Sequence, residues 1–283
     1  MLTLLLTGSR GMLGQAIAKT FTDAGYTVLA TDRDTIDITS IDSIRSFIAE
    51  KTIDLIINTA AYNFVDKVED PTFYDVAYSI NALGPQNLAL IAKELNVQFV
   101  HFSTDCVFDG NKTDGYIESD SRSPISKYGF TKAEGERLVE EAGGQFYICR
   151  LSKLFGTPGN GEGAKMSFVS LMLKLAKEKP ELSIVNEEVG CPSYAPHIAA
   201  STLGIIQRND PSGIYHTINE GGGVTWYQFA EEIFALMNVT TPRKPVSSKE
   251  FPVAAARPKN GTLLNTKLPK LPHRLDALKE FLL

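Results

Sequence analysis

The chain has 283 residues, 43% of them hydrophobic and 22% charged, with a formal net charge of -5. It is long enough to bury a full core, too acidic for a nucleic-acid scaffold, and carries no basic stripe interleaved with aromatics. No apolar run approaches membrane-spanning length, and residues 1–6 have neither the basic flank nor the length of a secretory leader, so a cytoplasmic protein is expected, with no membrane and no nucleic acid among its partners.

Residues 2–6 read as a first strand, a leucine-dominated run broken at Thr7 and Gly8. Gly8, Gly11 and Gly14 follow at three-residue spacing, and Ala16, Ile17, Ala18 and Phe21 continue as a helix packed on a sheet. A strand, a glycine turn and a helix start make an anion site. N–H groups at the helix N-terminus point outward, and the missing Cβ atoms let a pyrophosphate approach the main chain. The spacing has one residue more between its first two glycines than G-x-G-x-x-G, and no Gly-Lys-Ser/Thr follows, so it is not a P-loop. Residues 26–31 form a second buried strand ending at Asp32, where a carboxylate can hold adenine ribose hydroxyls, while Arg33 next to it suits a 2′-phosphate. Asp32 favours NADH and Arg33 favours NADPH, which leaves both cofactors open.

Further along, residues 54–58 read as a buried strand followed by the small, close-packing Thr59, Ala60 and Ala61, and then Tyr62. Residues 78–95 read as a long helix, 97–103 as a strand, 127–142 as a helix and 145–151 as a strand. This alternation predicts a Rossmann-type, doubly wound parallel α/β sheet with helices on both faces and ligands outside the carboxyl ends of the strands. After Leu151 the pattern loosens. Residues 157–163 are a Gly/Pro-rich loop, 166–178 a helix, and 182–194 an extended segment with a turn. Residues 198–206 are helical, 213–218 a strand, 226–237 a helix, 254–268 irregular, and 271–283 a closing helix. The expected organisation is a dinucleotide-binding domain over residues 1–155, rejoined by segments near 195–218, and a smaller C-terminal substrate-binding lobe over 156–283.

Tyr128 and Lys132, four apart, project from one helix face. An ammonium beside a phenol would lower the phenol's pKa and make a proton donor tunable near neutral pH. Thr104, in the polar run Ser103-Thr104-Asp105 at a strand end, can hydrogen-bond a carbonyl oxygen that Tyr128 protonates, and Lys132 can reach both the phenol and a nicotinamide ribose. Three dispersed cysteines, Cys106, Cys149 and Cys191, suit free thiols in a reducing compartment. His101, His197, His216 and His273 have no metal-ligand spacing and read as structural.

Gly8-x-x-Gly11-x-x-Gly14 together with Tyr128-x-x-x-Lys132 resembles the extended short-chain dehydrogenase/reductase family. Ala60-Ala-Tyr-Asn-Phe-Val-Asp-Lys67, Ile80-Asn-Ala82, residues 102–110 and Ala256-Arg-Pro-Lys-Asn260 are similar to its dTDP-4-dehydrorhamnose reductase branch over nearly the whole chain. The resemblance implies reduction, by NADPH or NADH, of the 4-keto group of a nucleotide-linked 6-deoxysugar, completing dTDP-L-rhamnose. It implies Tyr128 as proton donor, Lys132 as its activator and Thr104 at the carbonyl. Gly11, Met12 and Leu13 would line the pyrophosphate, Asp37 and Ile38 the adenine, and Ala60, Ala61 and Tyr62 the ribose side; Asp105, Lys153 and Arg257 would face the substrate. A homodimer, and Mg2+ held by acidic side chains at a subunit contact, also come with the resemblance, but no residue here maps onto such a metal site. Two departures bear on the substrate: Arg150-Leu-Ser-Lys153 has a lysine where the branch has tryptophan, and Glu188 stands for a glutamine. Two alternatives stay open. One is another nucleotide-sugar enzyme on this scaffold; an epimerase remains within it, while a dehydratase is disfavoured because Cys106 replaces the second carboxylate after Thr104-Asp105. The other is a silent regulatory subunit of the kind attached to methionine adenosyltransferase.

Overall fold

The computed structural model describes residues 1–161 and 164–283, so the last positions of the expected Gly/Pro-rich loop, Glu162 and Gly163, lie outside the described residues. Six parallel strands build its main sheet: β1 (Thr3–Thr7), β2 (Thr27–Thr31), β3 (Leu55–Asn58), β4 (Gln98–Thr104), β5 (Phe146–Leu151) and β6 (Gly213–His216). Their order is β6-β5-β4-β3-β1-β2. The chain winds outward in two directions from the β1/β3 pair, which puts the switch point, and the crevice it opens, at the carboxyl ends of those strands. The helices are α1 (Met12–Asp23), α2 (Ile41–Ile48), α3 (Pro71–Tyr78), α4 (Gly84–Leu95), α5 (Lys127–Ala142), α6 (Phe168–Glu178), α7 (Ala195–Arg208), α8 (Trp226–Leu236) and α9 (Arg274–Leu282).

Strand alternation makes two buried faces. Leu4, Leu6, Leu55, Ile57, Val100 and Phe102 pack with Leu13, Ile17 and Phe21 of α1 and with Ile198 and Ile205 of α7. Leu5, Ile56, Phe99 and Ile148 face the other way, onto Ile44 of α2, Leu88 and Ile91 of α4, and Val139 of α5. Residues 195–216 thus lie against the main sheet, α7 on one face and β6 at its edge. A separate core joins α6, α8 and α9 through Val169, Phe229, Ile233, Phe234 and Leu278. Among the described residues no helix is long and apolar enough to cross a membrane.

Three local differences from the sequence reading have local causes. The helix expected over 78–95 is α4 alone; before it come α3 and a π-helical turn, Ser79–Leu83. Asp70 caps α3 by accepting the Thr72 N–H, and Pro71 sits at its first turn, a start signal that the apolar spacing overlooks. Helix α2, over residues to which the sequence reading gave no element, is capped by Ser40, whose hydroxyl accepts the Ser43 N–H. The closing segment is split, with Leu271–His273 pairing with Asn219–Glu220 before α9 starts.

Two contacts fix α5 over the sheet. Arg150 of β5 clasps Glu136 of α5 through hydrogen bonds of 2.9 and 2.7 Å, both side chains fully buried. Gly135 faces the π-helical turn so closely that a Cβ there would lie 2.1 Å from the Asn81 carbonyl oxygen. Gly135→Ala is therefore expected to lower stability by about 1–3 kcal/mol, the usual cost of overpacking. Urea unfolding measures it, and an unchanged midpoint would mean that α5 does not depend on this contact.

Candidate active site

The loops after β1, β3 and β4 meet at the switch point. Gly8 has φ of +72°, and a Cβ on it would fall 2.5 Å from the Ala60 nitrogen; one on Gly14 would fall 2.3 Å from the Gly8 carbonyl oxygen. Side chains at either position would push the glycine turn off the Thr59–Ala60 loop and off α1. With glycine there, α1 begins directly behind the turn, and Met12, Leu13 and Gly14 of its first turn line the crevice.

The crevice is a chain of cavities that share lining residues. The first, ≈ 340 Å³, is walled by Ile36, Asp37, Ile38 and Ile80 and by Asp32 and Arg33. It opens into one of ≈ 360 Å³ between Gly8, Arg10, Gly11, Asp32 and Ala60. That one continues into ≈ 190 Å³ beside Met12, Ser103, Thr104, Tyr128 and Lys132. A further ≈ 350 Å³ lies between Met12 and Asn63 and the α6/α8 lobe, which contributes Lys165, Phe168 and Trp226. Of the residues expected at a cofactor, Gly8, Gly11, Met12, Leu13, Gly14, Asp32, Arg33, Asp37, Ile38, Ala60 and Ala61 all line this trough. Tyr62 does not. Its backbone N–H is held by the Asn81 Oδ1 at 2.8 Å, and its ring packs edge-on against Phe64. Arg10, which sequence reading passed over because the glycines around it explain the loop, lines the trough, and its guanidinium pairs with Asp34 at 2.6 Å. Both Asp32 oxygens accept backbone N–H groups, from Arg10 at 3.1 Å and from Arg33 at 3.0 Å, which orients the carboxylate.

At the far end Tyr128 and Lys132 line one wall with Thr104, but not as an ion-assisted pair. Burial pushes the Tyr128 phenol above its usual value, Cys106 and Asp105 push it the same way, and Thr104 and Arg257 oppose them. The expected lowering by an adjacent ammonium is absent, because Lys132 Nζ turns toward β4. It donates to the Phe102 carbonyl at 2.7 Å and lies 3.3 Å from His101 Nε2. Burial pulls Lys132 down to about 8, with Glu136 opposing. The Tyr128 hydroxyl reaches Asn63 Oδ1 at 3.4 Å. Thr104 gives its single proton to Asp105 Oδ1 at 2.9 Å and accepts the Cys106 N–H at 3.2 Å, so in this arrangement it offers lone pairs and no donor. Asp105 is half-buried, accepts the Ser152 hydroxyl as well, and is raised by desolvation.

The other residues expected at a substrate are engaged by the protein. Lys153, with φ of +42°, donates to the Glu188 and Val224 carbonyls at 2.8 Å each and lies 4.0 Å over the Trp226 ring. Burial lowers it to about 7. Trp226 in turn donates to the Glu188 carboxylate at 3.0 Å. Arg257 pairs with Asp66 at 2.9 Å and edges a cavity of ≈ 680 Å³ that Lys249 and Lys259 also line. Cys106, Cys149 and Cys191 are free thiols. Among the described residues no three His, Cys, Asp or Glu side chains gather as a metal set, so no step is derived through Mg2+. The Ser103 hydroxyl is buried at the trough without a hydrogen-bond partner among the described residues, a polar group that a bound dinucleotide could satisfy.

The sheet order, the helices on both faces and the glycine-lined crevice are those of a Rossmann-type, doubly wound α/β protein. Residues 2–280 match the family described as RmlD substrate binding domain. The chain is 39% identical to a dTDP-4-dehydrorhamnose reductase of Aggregatibacter actinomycetemcomitans, over 95% of this chain and 92% of that one. It is 32% identical to the spore coat polysaccharide biosynthesis protein SpsK of Bacillus subtilis, over 100% and 97%. The crystal structure of a Bacillus anthracis dTDP-4-dehydrorhamnose reductase in complex with NADP superimposes with a TM-score of 0.91, at 33% identity and 99% coverage of each chain. The chain belongs to the RmlD substrate binding domain family.

The buried amine has a consequence for stability. Below pH 8 Lys132 is protonated in the folded and unfolded chain alike, and its burial opposes folding; between about 8 and its ordinary 10.5 the unfolded chain holds the extra proton, so stability rises with pH there. Relative to Lys132→Met, the unaltered protein is expected to gain on the order of 3 kcal/mol between pH 7 and pH 10.5. Denaturant unfolding of both across that range reads the difference, and a flat difference would rule out a lowered Lys132.

Proposed function

We propose that this chain reduces the 4-keto group of a nucleotide-linked 6-deoxysugar with NADPH or NADH, and that the dTDP-linked 4-dehydro-L-rhamnose of its relatives is the first substrate to test. The observation that carries the reading is the continuity of the trough from Asp32 and the glycine turn to Tyr128 and Lys132. The reduced nicotinamide would supply the hydride. Gly8, Gly11 and the start of α1 would hold the pyrophosphate, Ile36, Ile38 and Ile80 would flank the adenine, and Ser103 offers its unpartnered hydroxyl.

Tyr128 is the acid in this reading. A phenol kept protonated by burial is loaded at neutral pH, and an alkoxide forming beside it is the stronger base, so the proton passes from Tyr128 Oη to the new alcohol. Asn63 orients that hydroxyl by accepting its hydrogen bond. Residues 156–283, together with Lys153 before them, would form the substrate lobe. Trp226, Phe168 and Lys165 would line the sugar side in the cavity next to Met12 and Asn63, and Lys249, Arg257 and Lys259, which with Glu187 and Glu188 line the cavity of ≈ 680 Å³, suit a diphosphate.

Purified protein given NADPH or NADH with a panel of 4-keto-6-deoxy nucleotide sugars is expected to consume the reduced cofactor with at least one of them. Tyr128→Phe should lose roughly 10²- to 10⁴-fold in turnover while still binding cofactor. No consumption with any sugar, or undiminished turnover in Tyr128→Phe, would overturn the reading. At the other end of the trough, replacing both Arg10 and Arg33 with serine is expected to raise the KM for NADPH about tenfold more than that for NADH, because only NADPH presents a 2′-phosphate there. Equal effects on the two would remove these arginines from that role.

A further inference from the structure

The corner of the trough nearest the end of β2 carries more carboxylate than guanidinium. Among the described residues, the charged groups lining its two cavities are Arg10 and Arg33 against Asp32, Asp34 and Asp37. Asp37 is turned to Thr39, whose backbone N–H and hydroxyl it accepts at 2.9 and 2.7 Å. Asp32 is oriented by the backbone N–H groups of Arg10 and Arg33. Asp34 does something else. Its carboxylate reaches from the turn after β2 to the glycine turn and takes the Arg10 guanidinium at 2.6 Å.

The main chain behind both ends of this bridge is pinned. The Arg10 N–H is held by Asp32 Oδ2, and the Arg10 carbonyl accepts the Asn160 N–H at 3.0 Å and Gln15 Nε2 at 3.2 Å. A Cβ on Gly159 would fall 2.6 Å from that carbonyl oxygen, so the chain there packs directly on it. Asp34 sits in a tight turn: the Thr35 and Ile36 N–H groups donate to the Asp32 carbonyl at 2.8 and 3.0 Å, and the Thr35 hydroxyl accepts the Asp32 N–H at 2.8 Å. What is left to move is the half-exposed Arg10 side chain.

We propose that Asp34 is a specificity-determining residue for the cofactor: it competes with the 2′-phosphate of NADPH for the Arg10 guanidinium and so weights the site toward NADH. A guanidinium grips a carboxylate and a phosphate through the same N–H fork, so the two anions are alternatives for one edge. A 2′-phosphate brings about 1.5 to 2 negative charges into a corner that already holds a surplus carboxylate. To take Arg10 it must leave Asp34 unpaired beside it. A 2′-hydroxyl asks for neither change, because the Asp32 carboxylate has lone pairs to accept it and the Arg10–Asp34 bridge stays closed. The Arg10 hydrogen bond holds the Asp34 carboxyl below the usual carboxylate range, which keeps the bridge charged at neutral pH. Water and salt weaken a half-exposed bridge, so NADPH is disfavoured rather than shut out, and Arg10 remains its contact when it does bind.

The inference rests on the reductase reading, but its test needs no sugar. NADPH and NADH are titrated separately into the full chain and followed by their fluorescence, which gives the ratio of the two Kd values. In Asp34→Asn, which keeps the shape and removes the charge, that ratio is expected to move toward NADPH by roughly five- to tenfold. Asp34→Ser, with no amide oxygen left to accept from Arg10, should move it at least as far. Made in an Arg10→Ser background, Asp34→Asn should move it about twofold or less, because no guanidinium is there to release. An unchanged ratio in both Asp34 variants would overturn the proposal, as would a shift toward NADH, which would mean that Asp34 presents Arg10 to the phosphate. A shift of equal size with and without Arg10 would also overturn it, since like-charge repulsion alone would then account for the change. If neither cofactor binds, this proposal and the reductase reading fall together. If both bind and the ratio shifts while every keto sugar is inert, Asp34 keeps its role and only the reductase reading is lost.

Discussion

A polar group carried into a dry interior must find its partner there, and the carboxyl ends of β1, β3 and β4 bring several such groups together. Each strand is apolar along its length and polar at its last residues: Thr7 after three leucines, Asn58 after Leu-Ile-Ile, and His101 to Thr104 after Phe-Val. The parallel register sets Thr7 beside Asn58 and Asn58 beside His101, so the polar ends satisfy one another across the sheet. An unpaired member would cost about 1–3 kcal/mol, so the loops that follow these strands are held in one arrangement. The glycine turn, the Ala60 loop and α5 are all anchored to that seam.

The contrast between the two ends of the trough follows from water. At the Asp32 end the ionisable groups are half-exposed, pair with one another and are oriented by backbone N–H groups, which suits the recognition of a charged, hydrated ligand. At the Tyr128 end they are buried, and desolvation outweighs every pairwise attraction, raising the phenol and lowering the amine. The site therefore reads charge at one end and, by desolvation, shifts its acids and bases toward their neutral forms at the other.

Lys153 shows how a substitution that looks drastic in one dimension is absorbed in three. As an isolated letter it places a flexible cation where the resemblance leads one to expect a tryptophan. In the fold its ammonium is shared between two backbone carbonyls and the face of Trp226, whose indole N–H reaches Glu188. The aromatic surface over that part of the trough comes from α8, and the lysine ties the segments around Glu188 and Val224 to the loop after β5.

The strands, the long helices and their alternation were legible in the chain because burial imposes periods of two and about 3.6 residues that any reader can count. The glycine turn, Asp32 and the Tyr128/Lys132 helix were legible because each sits where a strand or helix begins or ends. Arg10, Asn58, Asn63, Asn81 and His101 were not read as parts of the site, since a single polar residue in a buried segment carries no period. The direction in which Lys132 points and the neighbours of the His101 ring depend on partners 30 to 43 positions away, through contacts that exist only once the sheet has set its register. Local spacing determined which chemical groups this protein owns; tertiary packing, by removing water and choosing each group's neighbour, decided which of them carry charge.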